Sequence, residues 1–164
     1  NIYFTDSLGG TPGLIHTITG AGDTTFTHVD GTSVAGCYVV TAIDSVGNES
    51  AFSNPMCGDN CPDYTLPNVF TPNGDRVNDR FIPFPYRGVK EIDLQVFNRW
   101  GQVVFATHDP DIRWNGTLNN TGEPVPDGVY FYICTVYVKR LAGTEPMVLK
   151  GSVHLLGGNH VQQN

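Results

Sequence analysis

Regular helical periodicity is nearly absent from this sequence, and that absence limits the fold more than any other feature. No stretch of ten residues places apolar side chains at positions i, i+3, i+4 and i+7 without also containing glycine, proline or a β-branched run. The 164 residues include 19 glycines and 11 prolines, too many for a helical bundle. The chain is therefore expected to form β-structure.

Strand signals recur along the chain and are separated by turn signals. Residues 37–43 form a β-rich run that ends in the turn cluster 44–48, and residues 92–96 alternate apolar with polar side chains. Residues 129–139 form the longest run, apolar on both faces, which predicts a central strand. Residues 146–156 supply a last strand. This pattern is typical of an all-β chain built from antiparallel β-sandwiches.

Charge divides the chain into two parts. Residues 1–65 carry seven acidic side chains and no lysine or arginine, whereas residues 66–164 carry nine side chains of each sign. The whole net charge of −7 therefore lies in the first part, which predicts two modules joined by the polar segment 58–65. Neither part has a basic stripe, so nucleic-acid binding is not expected. No apolar run approaches the roughly 18 residues that a membrane-spanning helix needs.

The four cysteines allow two interpretations. Only Cys57 and Cys61 have the spacing of a zinc-ligand pair, and a structural zinc site normally uses two such pairs. The other interpretation is two disulfides, with three possible connectivities, in an oxidising compartment outside the cytoplasm. We favour the disulfides.

Residues 38–50, followed by 53–55, form a hairpin-like pattern near the end of the first module. They resemble the last hairpin of a fibronectin type III-like or Ig-like sandwich. The resemblance implies that residues 1–57 are a partial module of that kind, because its first two strands would be missing. In that hairpin Cys37 begins one strand and Cys57 ends the next, so we predict a Cys37–Cys57 disulfide. The remaining pair would be Cys61–Cys134, which would tie the segment 58–65 to the second module.

The most specific signal lies in the second module, residues 66–164. Its motifs are LPNVFTPNGD at 66–75, NDRF at 78–81, VFNRWG at 96–101, WNG at 114–116, DGVYFY at 127–132 and LKGSV at 149–153. They resemble the gliding-motility-associated C-terminal domain, the type B sorting domain of the type IX secretion system. Two positions depart from that pattern: Arg76 stands where the family usually has Gly, and Asn115 where it often has Asp.

That resemblance implies export. Such domains end large surface or secreted proteins of gliding bacteria, often adhesin-like, with Ig-like modules ahead of them. The resemblance implies that the type IX secretion translocon recognises such domains together with an outer-membrane partner of the PorP/SprF type. The exported protein would then lie at the cell surface or outside the cell. Two alternatives stay open: a carbohydrate- or surface-binding sandwich, and an accessory domain of a secreted enzyme.

Catalytic motifs are missing from the sequence. The five histidines lie far apart, and no H-E-x-x-H, G-x-S-x-G or Walker pattern appears. The acidic pair Asp109 and Asp111 lies on a proline-containing loop, where a solvated turn is the usual explanation. We therefore expect no enzymatic activity in this chain and no cofactor.

One loop concentrates oxygen-bearing side chains of the kind that calcium prefers. The candidate ligands are Asn73, Asp75, Asn78 and Asp79. The competing explanation is that these side chains accept hydrogen bonds from their own backbone and shape a turn.

Partner binding is expected at the edge of the last strand, because an unpaired strand edge can be extended by another chain. The candidate residues are Leu149, Lys150, Gly151, Ser152, Val153, His154, Leu155 and Leu156. We expect Val153 and Leu155 to point inward and His154 outward. The alternative hypothesis is that the tail 157–164 acts as a simple sorting peptide.

The two tryptophans, Trp100 and Trp114, each stand beside a glycine. A carbohydrate-binding platform would need exposed rings. We expect both rings instead to plug the edge of the core beneath a hairpin.

Overall fold

The computed structural model describes residues 1–20, 22–29 and 33–157. Nearly all regular structure in these residues is β-strand, and the prediction of an all-β chain with antiparallel sheets is confirmed. The strands are β1 (Ile2–Thr5), β2 (Gly13–His16), β3 (Gly36–Val40), β4 (Met56–Gly58), β5 (Val69–Phe70), β6 (Val89–Phe97), β7 (Val103–Thr107), β8 (Gly128–Arg140) and β9 (Gly143–Leu155). A short 3-10 helix spans Leu118–Asn120. None of the described helical structure is long and apolar enough to cross a membrane.

Two compact units make up the chain. Unit 1 contains Asn1–Cys61 and Lys139–Thr144, and unit 2 contains Pro62–Val138 and the described residues from Glu145 onward. The units are therefore not consecutive segments, since the turn that follows β8 belongs to unit 1. Residues 58–61, which we assigned to a connecting segment, also lie in unit 1.

Unit 1 is built on a four-stranded sheet with the strand order β2-β1-β3-β4. Its pairs are antiparallel, with Phe4 opposite Tyr38 and Cys37 opposite Cys57. The rings of Phe4 and Tyr38 lie 4.9 Å apart between centroids. Gly36 is required beneath the Phe4 ring, because a Cβ at that position would lie 2.0 Å from a ring carbon.

Asn60 explains why the segment after β4 is fixed to unit 1. Its side chain is almost fully buried, and its amide oxygen accepts a hydrogen bond from the Val34 backbone N–H at 2.8 Å. The amide nitrogen donates to the Ser33 hydroxyl at 3.0 Å and to the Lys139 carbonyl at 2.6 Å. A buried amide with all these partners holds its segment in place, since losing them would leave polar atoms unpaired away from water.

The predicted Cys37–Cys57 disulfide is confirmed. The two residues face each other across the β3–β4 pair, with Cα atoms 4.0 Å apart. The bond closes a loop with a sequence separation of 20 residues.

The predicted Cys61–Cys134 disulfide is wrong. Both thiols are free, and they occupy opposite environments. Cys134 pairs with Leu94 on β6 and is fully buried in the core of unit 2, whereas Cys61 is exposed. The sequence placed Cys134 correctly in a central strand, but its side chain points into that core.

Unit 2 is built on a five-stranded sheet with the strand order β5-β9-β8-β6-β7. β6 pairs antiparallel with β7 and β8, whereas β5 runs parallel to β9. The alternation predicted for β6 is confirmed, since Ile92, Leu94 and Val96 are all fully buried. β8 lies in the middle of the sheet, as its sequence predicts.

In the part of unit 2 that the structure describes, loop segments also contribute side chains to the core, beside the single five-stranded sheet. Isolated bridges join these segments, including Phe81 with Trp114 and Thr117 with Pro124. The loop side chains in this core are Tyr64, Phe81, Ile112, Trp114 and Val125.

The disulfide predicts a specific loss of stability. Replacing Cys37 and Cys57 together by alanine should lower the free energy of unfolding of unit 1 by about 3 kcal/mol, because the unfolded chain regains the freedom of the loop. Hydrogen exchange of the β3 amides measures this loss. Tryptophan fluorescence is the internal control, since both tryptophans lie in unit 2 and their transition should not move. Peptide mapping without reductant that finds Cys57 joined to Cys61 would contradict the assignment.

The two free thiols should differ sharply in reactivity. Burial, with a smaller contribution from the charge of Asp93, raises the pKa of Cys134 to about 12. Because the thiolate is the reactive form, iodoacetamide at neutral pH should alkylate Cys61 in the native chain and Cys134 only after unfolding. Mass spectrometry of labelled peptides reports both sites. A native chain without any reactive thiol would show that the two cysteines are joined after all.

Candidate functional site

The predicted calcium loop is an organised turn in which carboxylates accept backbone hydrogen bonds. The two carboxylate oxygens of Asp79 accept the N–H groups of Gly74 and Arg76, each at 2.7 Å. Asp75 accepts the Val77 N–H at 2.8 Å, and the backbone carbonyl of Asn78 accepts the Thr71 N–H. These bonds are what the turn explanation requires. The calcium site remains a prediction, in which these oxygens would serve the ion as well.

Arg76 stands in this loop with a φ of 71°. That value lies in the left-handed region, where glycine has no steric penalty and other residues do. The Arg76 N–H bond to Asp79 helps to hold the conformation. This explains in physical terms why a glycine would suit the position where Arg76 departs from the family pattern.

The last strand has the side-chain pattern that we predicted, but its end is not an open edge. Val153 and Leu155 are fully buried, and His154 is exposed. β5 covers this end of β9, because the His154 N–H donates to the Asn68 carbonyl at 2.8 Å and the Leu156 N–H to Phe70 at 3.2 Å. The expectation of a free edge over residues 154–156 is therefore wrong. The sequence could not reveal this cover, since the partner strand lies more than 80 residues away in the chain.

The calcium loop and the end of the last strand are brought together by the same pairing. The loop begins directly after β5, whose Phe70 stands opposite Leu155. An ideal Cβ built on Gly157 would lie 3.9 Å from the Cβ of Asn73. The remaining candidate residues, Leu149 to Ser152, lie farther along β9, where Lys150 is exposed and Gly151 packs under the Tyr132 hydroxyl. The tail 158–164 lies outside the described residues.

The acidic pair on the loop after β7 takes part in local turn contacts. Asp109 accepts the Asp111 N–H at 3.0 Å, and Asp111 forms an ion pair with Arg113. Asp111 also accepts the Tyr86 hydroxyl at 2.8 Å. Burial, followed by that hydrogen bond, raises the pKa of Tyr86 to about 12. These contacts hold the loop in place.

The two tryptophans have opposite environments. Trp114 is fully buried, as expected, and its indole N–H donates to the Thr117 carbonyl at 2.8 Å. Trp100 is 71% exposed, so the expectation that it plugs the core is wrong. It lies in the β6–β7 turn, where the Asn98 side chain accepts the backbone N–H groups of Trp100 and Gln102 at 3.0 Å each. This turn places the ring beyond the end of the sheet.

A pocket of about 120 Å³ adjoins the exposed ring. Its lining residues come from the β6–β7 turn and the start of β8: Asn98, Arg99, Trp100, Pro126, Asp127, Gly128, Val129 and Tyr130. The Arg99 guanidinium carbon lies 4.3 Å from the centroid of the Trp100 ring, which is the geometry of a cation–π contact. The sequence places Arg99 directly before Trp100, but we expected the Trp100 ring to lie at the edge of the core.

β8 also presents apolar side chains to solvent. Tyr130, Cys134 and Val136 face the core, whereas Phe131 and Ile133 on the opposite face are 51% and 44% exposed. The sequence run was correctly identified as apolar on both faces. Only one of those faces is covered in unit 2.

The Asp79 carboxylate should be important for the calcium-loop turn. Replacing Asp79 by alanine removes the acceptor of two backbone N–H groups, so the free energy of unfolding of unit 2 should fall by about 1–3 kcal/mol. Urea unfolding followed by tryptophan fluorescence measures this change. An unchanged midpoint would show that the turn does not depend on this carboxylate. If the calcium prediction holds, added calcium raises the midpoint of the unaltered chain and not that of the Asp79→Ala variant.

Comparison with known proteins agrees with the second module's motifs. A search among curated proteins finds no match for the sequence. The model of the CHU_C Type IX secretion signal domain family matches residues 64–154. The match spans more than half of the chain, and all of it except residues 139–144 lies in unit 2. The chain therefore belongs to the CHU_C Type IX secretion signal domain family.

Proposed function

We propose that this chain is the C-terminal targeting module of a large surface or secreted protein, adhesin-like and associated with gliding. In this proposal the type IX secretion system exports the protein, and an outer-membrane partner of the PorP/SprF type attaches it to the cell surface. The observation that supports the proposal is the family match over residues 64–154, which covers strands β5 to β8 and all of β9 except Leu155. Proteins with such domains are exported to the cell surface or secreted.

The proposed role is recognition of a folded surface. The matched region depends on contacts between distant parts of the chain, such as β5 with β9 and Phe81 with Trp114. A short linear signal would not need these pairings. Under this proposal the chain carries out no catalysis and needs no cofactor, and calcium would serve only to stabilise the loop 73–79.

The exposed Trp100 ring favours a second candidate, a carbohydrate- or surface-binding module. Such modules use exposed aromatic rings as platforms, surrounded by polar groups that bind hydroxyls. The ring has the exposure that this function requires. Loss of polysaccharide binding on a Trp100→Ala substitution would support this candidate.

Export of a reporter tests the proposed function. A reporter that carries a signal peptide and is fused ahead of residues 1–164 should reach the surface or medium of a bacterium with a type IX secretion system. It should remain in the periplasm of an isogenic strain that lacks the translocon. Removing residues 158–164 should leave export unchanged, because the family match ends at residue 154.

The truncation also separates a folded signal from a linear one. Its control is urea unfolding of the purified chain, in which the truncated and full-length forms should share one midpoint. If export stops while that midpoint is unchanged, the tail is the signal and recognition of a folded surface is wrong. Export in the strain without the translocon would contradict the type IX assignment itself.

A further inference from the structure

The turn between β6 and β7 exposes a pair of side chains that unit 2 does not use for its own stability. We call this pair, Arg99 and Trp100, the turn pair. The guanidinium lies over the indole ring, and 71% of Trp100 is exposed. Among the residues that the structure describes, no hydrogen bond or ion pair engages the Arg99 side chain. Tryptophan and arginine are the residue types most enriched among those that dominate protein–protein binding energies.

Apolar side chains extend from the turn pair across the outward face of the sheet. Val129 lines the same pocket as Trp100, and Phe131 follows two residues later on the same face of β8. Phe97 stands opposite both Phe131 and Val103 in the strand register. We call these residues the outward patch: Phe97, Val103, Val129, Phe131 and Ile133. Of these, all but the half-buried Phe97 are 40% to 51% exposed.

The polar groups beside Trp100 are engaged in local contacts. The Asn98 oxygen accepts two backbone N–H groups, and its nitrogen donates to the Gln102 side chain at 2.9 Å. The Tyr130 hydroxyl donates to the Pro126 carbonyl at 2.6 Å. A sugar-binding platform offers both donors and acceptors to the hydroxyls, whereas the side-chain groups of the turn 98–102 that make no hydrogen bond within the described residues are all donors: the Arg99 guanidinium, the Trp100 indole N–H and the Gln102 amide nitrogen. The surface therefore suits an apolar partner that brings its own acceptor.

We propose that the turn pair and the outward patch form the docking surface for a protein of the type IX secretion machinery. The partner's facing surface is apolar and carries a carboxylate that accepts hydrogen bonds from Arg99. This inference rests on the proposed function and adds to it the surface that the secretion machinery binds. Charge complementarity identifies the acceptor, because an arginine placed in an apolar interface needs an anionic group opposite it.

Two other occupants fit this surface less well. A second copy docked through the same patch about a two-fold axis would bring one Arg99 close to the other, and like charges in a desolvated interface repel. A membrane with anionic lipids would need a net basic face. Glu91 and Asp93, which alternate with the core residues of β6, instead offset the charges of Arg99 and of Lys150, which lines a pocket with Phe131.

Substitutions on this surface test the proposal in the full chain fused to the export reporter. Trp100→Ala and Arg99→Glu should each reduce export about tenfold or more, as expected for residues that dominate an interface. The matched controls are Phe84→Ala, which removes a 55% exposed aromatic ring elsewhere in unit 2, and Arg80→Glu, which reverses an exposed charge. Both controls should be exported like the unaltered chain. Unfolding midpoints of all four variants, followed by fluorescence of the buried Trp114, show whether each one folds.

A photo-crosslinking amino acid in place of Val103 identifies the occupant. We expect a cross-link to one protein that type IX export requires, and we expect Arg99→Glu to abolish it. A cross-link to a second copy of the chain or to lipopolysaccharide would overturn the proposal. Folded Trp100→Ala and Arg99→Glu variants that are exported like the unaltered chain would overturn the docking surface alone. Failure of the unaltered chain to be exported would overturn the proposed function, and the docking surface with it.

Discussion

The burial of Trp114 is the interaction on which the rest of unit 2 depends. Its ring is fully buried and stacks on Phe105 of β7 at 5.8 Å between centroids. The same ring contacts Phe70 of β5 at 5.2 Å and Tyr130 of β8 at 5.5 Å. One side chain thus joins strands from both ends and the middle of the sheet. Because Trp114 itself lies in a loop segment, its ring packs that segment against the sheet.

The backbone before Trp114 adopts a strained conformation, and the buried side chains offset its cost. Ile112 and Arg113 have φ values of 60° and 58°, in a region that costs a non-glycine residue about 1–3 kcal/mol. The Ile112 N–H donates to the Asp109 carbonyl at 3.0 Å, and the Asn120 side chain donates to the Arg113 carbonyl at 3.2 Å. Burial of the Trp114 and Ile112 side chains stabilises the folded state by several kcal/mol, which offsets this cost. The strain therefore persists only while the core is intact.

Local sequence patterns correctly predicted which side chains of a strand face the core. They did not predict features that depend on residues far apart in the sequence, such as strand pairing and the exposure of a ring. The alternation of β6 and the central place of β8 follow from side-chain period and apolar content, and both are confirmed. The cover over the end of β9 comes from β5, far away in sequence, so no local pattern could reveal it. Trp100 and Trp114 stand in similar local sequences, yet one is exposed and the other buried. Family motifs identified the domain, whereas exposure had to come from the structure.

The central claim is that the secretion signal is the folded surface of unit 2. Export of Trp114→Phe, Trp114→Leu and Trp114→Ala chains tests it most directly when the folded fraction of each purified chain is measured by circular dichroism. Trp114→Ala should lower the free energy of unfolding of unit 2 by about 3–5 kcal/mol. Trp114→Leu should lower it less, and Trp114→Phe least. Because all three leave the surface residues unchanged, export should fall in proportion to the folded fraction. An unfolded Trp114→Ala chain that is exported like the unaltered one would contradict the account.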